Sequence, residues 1–323
     1  MSEAAAPAAA APRAASGGGG ASRGLPGGRW LGVLPFFLFV TLFLILPTLY
    51  IVVGAFRTTG GGWTLQNVLD LNTRSIRNAY WVSVQVSFWS ALLGCLIGFA
   101  MSAAVVLWGL PRWLKQPLLT FSGVASNFAG VPLAFAFIAT VGPAGLITLW
   151  LRSDLGVILQ AGLWNVPEGL QWLLPGQVRF PRFTILSTWG LILTYLFFQI
   201  PLMVLIITPA IEGLRREWRE AAEVLGASAW QYWRMVALPI LTPSLLGCMA
   251  LLFANAFGAV ATAIALTGPA LNIAPILLYA QIRGDVLGNP NLGYALALGM
   301  IVITAAANAL YVWLRARSER WLK

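Results

Sequence analysis

The chain has 323 residues, of which 59% are hydrophobic and only 9% charged, and its mean hydropathy is +0.80; so little polar surface excludes a water-soluble globule and leaves lipid as the fitting solvent. The formal net charge of +10 does not point to nucleic acid, because the basic residues sit at the ends of apolar runs and form no stripe interleaved with aromatics. With no histidine and with both cysteines, Cys95 and Cys248, inside apolar runs, neither catalytic nor metal-ligating residues are assigned.

Residues 1–29 are Ala, Pro, Gly and Ser with almost no large apolar side chain, too little to offset the entropy of ordering, and are expected to form a disordered cytoplasmic tail. The apolar run that follows is too long for a signal-peptide core and lacks a small-x-small cleavage pattern, so an uncleaved first span is expected. Residues 30–314 form the transmembrane region. Charge-free intervals at 30–56, 78–111, 116–151, 183–211, 235–282 and 286–314 each exceed the ~20 apolar residues needed to cross a bilayer. They predict an all-α membrane protein with six transmembrane helices, near 31–55, 80–107, 117–141, 184–208, 241–266 and 292–313. Gly142-Pro143 should end the third span early, and Gly268-Pro269, Asn272 and Pro275 should break the long fifth interval into a span plus an irregular piece.

Between spans, 57–79 is a polar loop with a Gly60-Gly61-Gly62 run. The stretch 142–183 holds Trp150, Trp164 and Trp172 among four prolines, which suits short helices lying at the headgroup level. Inside the spans the bulkiest polar groups are Gln85, Asn127, Gln199 and Asn255; such groups either join helices or line an aqueous path. No Asp, Glu, Lys or Arg lies within a predicted span, so there is no intramembrane relay for a coupling ion. Energy must come from outside the chain, yet neither of its two lysines, Lys115 and Lys323, stands in a phosphate-cradling G-x-x-x-x-G-K-[ST] loop.

Residues 210–239 interrupt this apolar pattern. From Ala210 to Leu225 charged and apolar residues alternate at helical spacing, with Glu212/Arg216, Arg216/Glu220 and Arg219/Glu223 placed i,i+4. Ala221 and Ala222 give a flat patch, Gly226 suits the left-handed turn that ends a helix, and Ser228 with Gln231 forms a capping box for a second one. Leu238-Pro239 should mark re-entry into the bilayer, since the residue before proline is pushed out of helix geometry.

Glu220-Ala221-Ala222, Gly226 and the distant Val236-x-Leu238-Pro239 resemble the EAA signature of inner-membrane permease subunits of binding-protein-dependent ABC importers, Val236 standing where Ile is usual. Arg77-Asn78-Ala79-Tyr80 and Ser126-Asn127-Phe128-Ala129-Gly130-Val131-Pro132-Leu133 look like the permeases of the spermidine/putrescine group. The resemblance implies the importer-permease fold, in which this cytoplasmic loop docks on a separate ATPase. It implies no cofactor bound by this chain, ATP used by the partner subunit, a second permease subunit (identical or different) completing the pathway, an extracytoplasmic substrate-binding protein, and a polyamine or similar small solute as cargo. The alternative reading is a secondary transporter or channel without an ATPase partner. With the N-terminus inside, 13 Lys and Arg flank the inner ends of the spans against 7 outside. The positive-inside rule therefore predicts a multi-pass inner-membrane protein with both termini, the loop and the 315–323 tail in the cytoplasm.

Overall fold

The structure, a computed structural model, describes residues 28–319 apart from 59, 108–110, 150–158, 161–162, 165–184 and 284–289. Most of the expected N-terminal tail, the last four residues and most of the 142–183 stretch, Trp150 and Trp172 included, lie outside the described residues. Six helices are long and apolar enough to cross a membrane: Val33–Ala55, Arg74–Val106, Val131–Leu149, Thr188–Glu212, Ala229–Phe257 and Pro290–Leu314.

The contacts divide the chain into residues 1–50 and 51–323. The first unit holds α1 (Gly28–Val40), a π turn (Thr41–Ile45) and the first half of α2 (Leu46–Ala55), whose residues from Ile51 belong to the second unit. From Val33 on, nearly all its side chains are apolar on every face, as a helix solvated by lipid requires. The π turn closes with Leu46 N–H donating to Thr41 O, just before Pro47. A proline ring clashes with the carbonyl four residues back, and a widened turn relieves that clash without breaking the helix.

In the second unit, a short helix α3 (Gln66–Leu69) orders part of the loop that looked irregular. Buried Asn67 donates to Ala55 O (3.1 Å) and Arg57 O (2.8 Å), closing the loop on itself. The helix α4 (Arg74–Leu107) follows and begins six residues before the expected start at 80, so Arg74 and Arg77 lie on its first turns. Its main partner is α7 (Thr188–Glu212), whose N-cap Ser187 accepts from Gly190 N–H. Gly94 and Gly98 let the two backbones approach closely: a Cβ at these positions would stand 3.0 Å from Gln199 Cβ and 2.6 Å from Met203 Cβ.

The third span departs from expectation. Instead of one helix over 117–141, α5 (Arg112–Asn127) ends at Phe128 and α6 (Val131–Val141) begins after Gly130. Gly130 has φ +81° and ψ −151°, a region essentially closed to other residues, and Pro132 lies in the first turn of α6, where its missing N–H would have no intrahelical partner. Gly142 does stop α6, but residues 146–149 resume a helical turn, and the candidate crossing is Val131–Leu149. Beyond it, the described residues form an antiparallel pair of β1 (Leu159–Gln160) and β2 (Leu163–Trp164); the rest of the stretch in which short surface helices are expected lies outside the described residues.

The fifth span is also displaced. The loop helices α8 (Arg216–Val224) and α9 (Ala229–Tyr232) are followed without a break by a π turn (Trp233–Ala237) and α10 (Leu238–Phe257). Leu238 is therefore helical (φ −62°, ψ −46°) and does not interrupt the chain as its place before Pro239 predicted. The π turn again precedes the proline by one residue and accommodates it. The expected helix over 241–266 stops at Phe257, and α11 (Val260–Thr267) starts after Ala259. A 3-10 turn at Gly268–Ala270 and α12 (Ala274–Arg283) fill the remainder of the interval. Finally α13 (Pro290–Glu319) carries the sixth span and continues past the expected boundary at 314.

Candidate coupling loop and translocation cavity

The loop is built from local chemistry. On α8, Arg216 pairs with Glu220 (2.9 Å) and Arg219 with Glu223 (3.0 Å), both i,i+4 and exposed. Glu212 does not pair with Arg216 as its spacing suggested, because α7 ends at Glu212 and the chain turns through Gly213–Arg215 before α8 begins. Its carboxylate instead takes the Lys115 ammonium, joining the end of α7 to the start of α5.

Helix α8 ends in a Schellman motif: Ala227 N–H donates to Ala222 O (3.0 Å) and Gly226 N–H to Glu223 O (3.0 Å), with Gly226 at φ +77°. Two residues on, Ser228 N–H donates to Gln231 Oε1 (2.7 Å) and Gln231 N–H to Ser228 Oγ (3.3 Å), the reciprocal capping box that starts α9. The result is a helix-turn-helix whose stop and start are both encoded between Gly226 and Gln231. Glu220, Ala221, Gly226 and Pro239 are exposed, while Ala222, Val236 and Leu238 are half-buried. Around the turn Val224 and Leu225 are 87% and 86% exposed, and Trp230 and Met235 stand out beside them. An apolar cluster so open on a charged loop is the mark of a surface that another molecule covers.

A second feature lies where the helices break. The α5–α6 and α10–α11 junctions, together with Phe198 of α7, line an open cavity of about 500 Å³. Gly130 N–H donates to Thr262 Oγ1 (2.7 Å), and Tyr195 O–H donates to Ala259 O (3.0 Å), so each junction is tied by a side chain from another helix. Ser126, Asn255 and Thr262 supply its polar side chains, and none of its lining residues is ionisable. Residues 260–262, the first turn of α11, also line it, at the end of the helix where the backbone dipoles leave partial positive charge.

Of the four polar span residues, only Asn255 borders this cavity. Asn127 is exposed, its Nδ2 donating to Gly123 O (2.8 Å) within its own helix. Gln85 is half-buried on α4. Gln199 is fully buried between α7 and α4, with Nε2 donating to Ser90 Oγ (2.8 Å) and Oε1 without a hydrogen-bond partner. Of the residues that shape the cavity, Gly130 stood in the Ser126–Leu133 motif and Thr262 was one of the smaller polar groups of the spans, but nothing in the sequence joined them, and Tyr195 carried no signal of its own.

Residues 110–322 match the binding-protein-dependent transport system inner membrane component family. The chain belongs to this family. It is thus a permease subunit of an ABC importer, a multi-pass inner-membrane transport subunit and not an enzyme. The probable sulfate transport system permease protein cysT of Nephroselmis olivacea is 27% identical over 288 residues, covering 88% of this chain and 90% of that protein. The sulfate transport system permease protein CysW of Escherichia coli is 26% identical over 270 residues, covering 83% of this chain and 77% of that protein. These relatives are sulfate permeases, so the assignment to the spermidine/putrescine group is not supported; the motifs that suggested it mark the family and not the cargo. A bacterial ABC transporter involved in the import of the acidic polysaccharide alginate shares the fold, with TM-score 0.62 at 15% identity, covering 91% of this chain and 96% of that one.

Proposed function

We propose that this permease forms half of the pathway of an ATP-driven importer of a small inorganic oxyanion of the sulfate type, and that the 210–239 loop transmits the motion of a partner ATPase. The observation that carries the coupling is the loop itself: a helix-turn-helix held by a Schellman turn and a capping box, with Val224 and Leu225 almost fully exposed. A rigid element with an uncovered apolar tip can transmit force to the spans, since α9 runs through the π turn into α10 without a break. Glu220, Ala221, Ala222 and Gly226 form the docking side, with Val236, Leu238 and Pro239 on the continuous helix behind. The loop and both termini face the cytoplasm by the distribution of Lys and Arg.

The cargo follows from the relatives, which are sulfate permeases, and from the cavity. A neutral lining with hydroxyl and amide groups and a helix N-terminus suits an anion that must bind weakly and leave. A substrate-binding protein outside the membrane and a second permease, identical or different, complete the assembly.

Glu220→Ala tests the coupling. Its ion pair with Arg216 is exposed and contributes only about 0.3–0.5 kcal/mol, so membrane abundance and thermal stability should stay near wild type. Removing one member of a desolvated interfacial charge pair costs about 2–5 kcal/mol of binding, so ATPase association and uptake of radiolabelled sulfate should both fall. Full association and uptake in the variant would refute the docking role; wild-type uptake of putrescine in place of sulfate would refute the cargo.

A further inference from the structure

A second cavity of about 500 Å³ lies at the root of the loop, between the last turn of α7, helix α8 and the first turns of α10. Its walls are apolar, from Pro209 and Leu214 on one side to Ile240 and Leu241 on the other, and Trp218 of α8 closes one edge. Neither the apolar tip of the loop nor the cavity at the helix breaks contributes to it.

We propose that this cavity is a binding site for an anionic phospholipid of the cytoplasmic leaflet, with an acyl chain inside and the phosphate at Arg215. The inference rests on the reading that the loop faces the cytoplasm, and three observations lead to it. First, the cavity sits where two apolar spans end and a charged loop begins, which is the depth at which headgroup and acyl chain meet. Its volume is within the ~300–1,000 Å³ of sites that bury small ligands. Second, the Arg215 guanidinium lies 5.8 Å from the centre of the Trp218 ring and so stands at the rim of the cavity. An indole with a cation over it is suited to the interface, with an apolar body facing hydrocarbon and charge facing the phosphates.

Third, the charges of the loop and of the helix ends beside it are divided unequally. Lys115, Arg216 and Arg219 are neutralised by Glu212, Glu220 and Glu223. Among the described residues Arg215, Arg234 and Glu217 make no ion pair, and of these Arg215 is the one set against the Trp218 ring that lines the cavity, leaving a planar donor set beside it. Basic groups beside pockets between spans on the cytoplasmic side are the usual means of holding anionic headgroups. Planar guanidinium suits phosphate in particular, since it donates two parallel hydrogen bonds. A lipid in this place would brace α8 against α7 and α10, and the loop would transmit less force in a membrane without anionic lipid.

The purified full chain in detergent, incubated with phosphatidylglycerol or phosphatidylcholine and examined by native mass spectrometry, tests the site without any ATPase. Failure of the lipid site is thereby separable from failure of the coupling role. Wild type should retain phosphatidylglycerol in preference to phosphatidylcholine, and Arg215→Gln should lower that preference about fivefold, the factor for one basic residue beside an anionic lipid. Ala210→Phe, which fills the cavity, should abolish retention of both; if it fails to fold, the exposed Arg215→Gln still decides. Equal retention of the two lipids by wild type, no retention at all, or an unchanged preference in Arg215→Gln would overturn the proposal. So would loss of the lipid when a partner protein binds the loop, which would make the cavity a protein-docking site.

Discussion

Replacing Gly226 separates backbone strain from packing more cleanly than any other change in the loop. A Cβ built on Gly226 meets nothing within 4 Å, so every substitution has room and its cost lies in the backbone alone. At φ +77° an L-residue pays about 1–2 kcal/mol, Asn less and a β-branched residue at the upper end or beyond. The two hydrogen bonds that close the turn return about 0.5–1.5 kcal/mol each, so valine offsets most of what holds the turn shut. A loss of about 1.4 kcal/mol lowers the closed population tenfold relative to the open one. Little else resists opening, because α8 has no fully buried residue, its ion pairs are exposed, and nine residues are too few to be helical alone. The spans pack independently of the turn, so insertion should be normal. Membrane abundance, sulfate uptake and transport-coupled ATP hydrolysis measured on Gly226→Asn, Gly226→Ala and Gly226→Val should show constant abundance with coupling falling in that order. Normal coupling in the valine variant, or an asparagine variant as damaged as valine, would refute the argument that left-handed backbone is what Gly226 supplies.

Thr262→Val removes the hydroxyl that accepts from Gly130 N–H and leaves that amide unpaired beside the cavity; it should lower stability by about 1–3 kcal/mol, and an unchanged melting temperature in detergent would show that the α5–α6 break holds itself. Gln199→Leu removes the hydrogen bond to Ser90 Oγ together with an acceptor that has no partner among the described residues; Ser90 keeps its own bond to Ser87 O, so the loss should stay near the ~0.5–1.5 kcal/mol of one hydrogen bond, and a loss above about 3 kcal/mol would show that the α4–α7 contact depends on Gln199 for more than that bond. Reporter fusions after Lys323 and within 57–79 should fall on opposite sides of the membrane, and fusions on one side would contradict the orientation and an even number of crossings.

What the residues alone determined is what depends on solvent and on short-range geometry. Hydrocarbon excludes ionised side chains, so the charge-free intervals marked six spans, and a charged amphipathic stretch between two of them had to be a surface element. The turn at Gly226 and the capping box at Ser228 were legible because each is closed by hydrogen bonds between residues at most five apart. The third and fifth spans were misplaced because their breaks are held from elsewhere. Gly130 is bonded to Thr262, 132 residues away, and Ala259 to Tyr195, 64 away. Apolar sequence on both sides of a break looks the same as one long helix, and only the partner across the bundle decides where the chain stops and a cavity opens. For the same reason Glu212, four residues from a willing arginine, is paired with Lys115, 97 residues away: the end of α7 took it out of reach of the nearer charge.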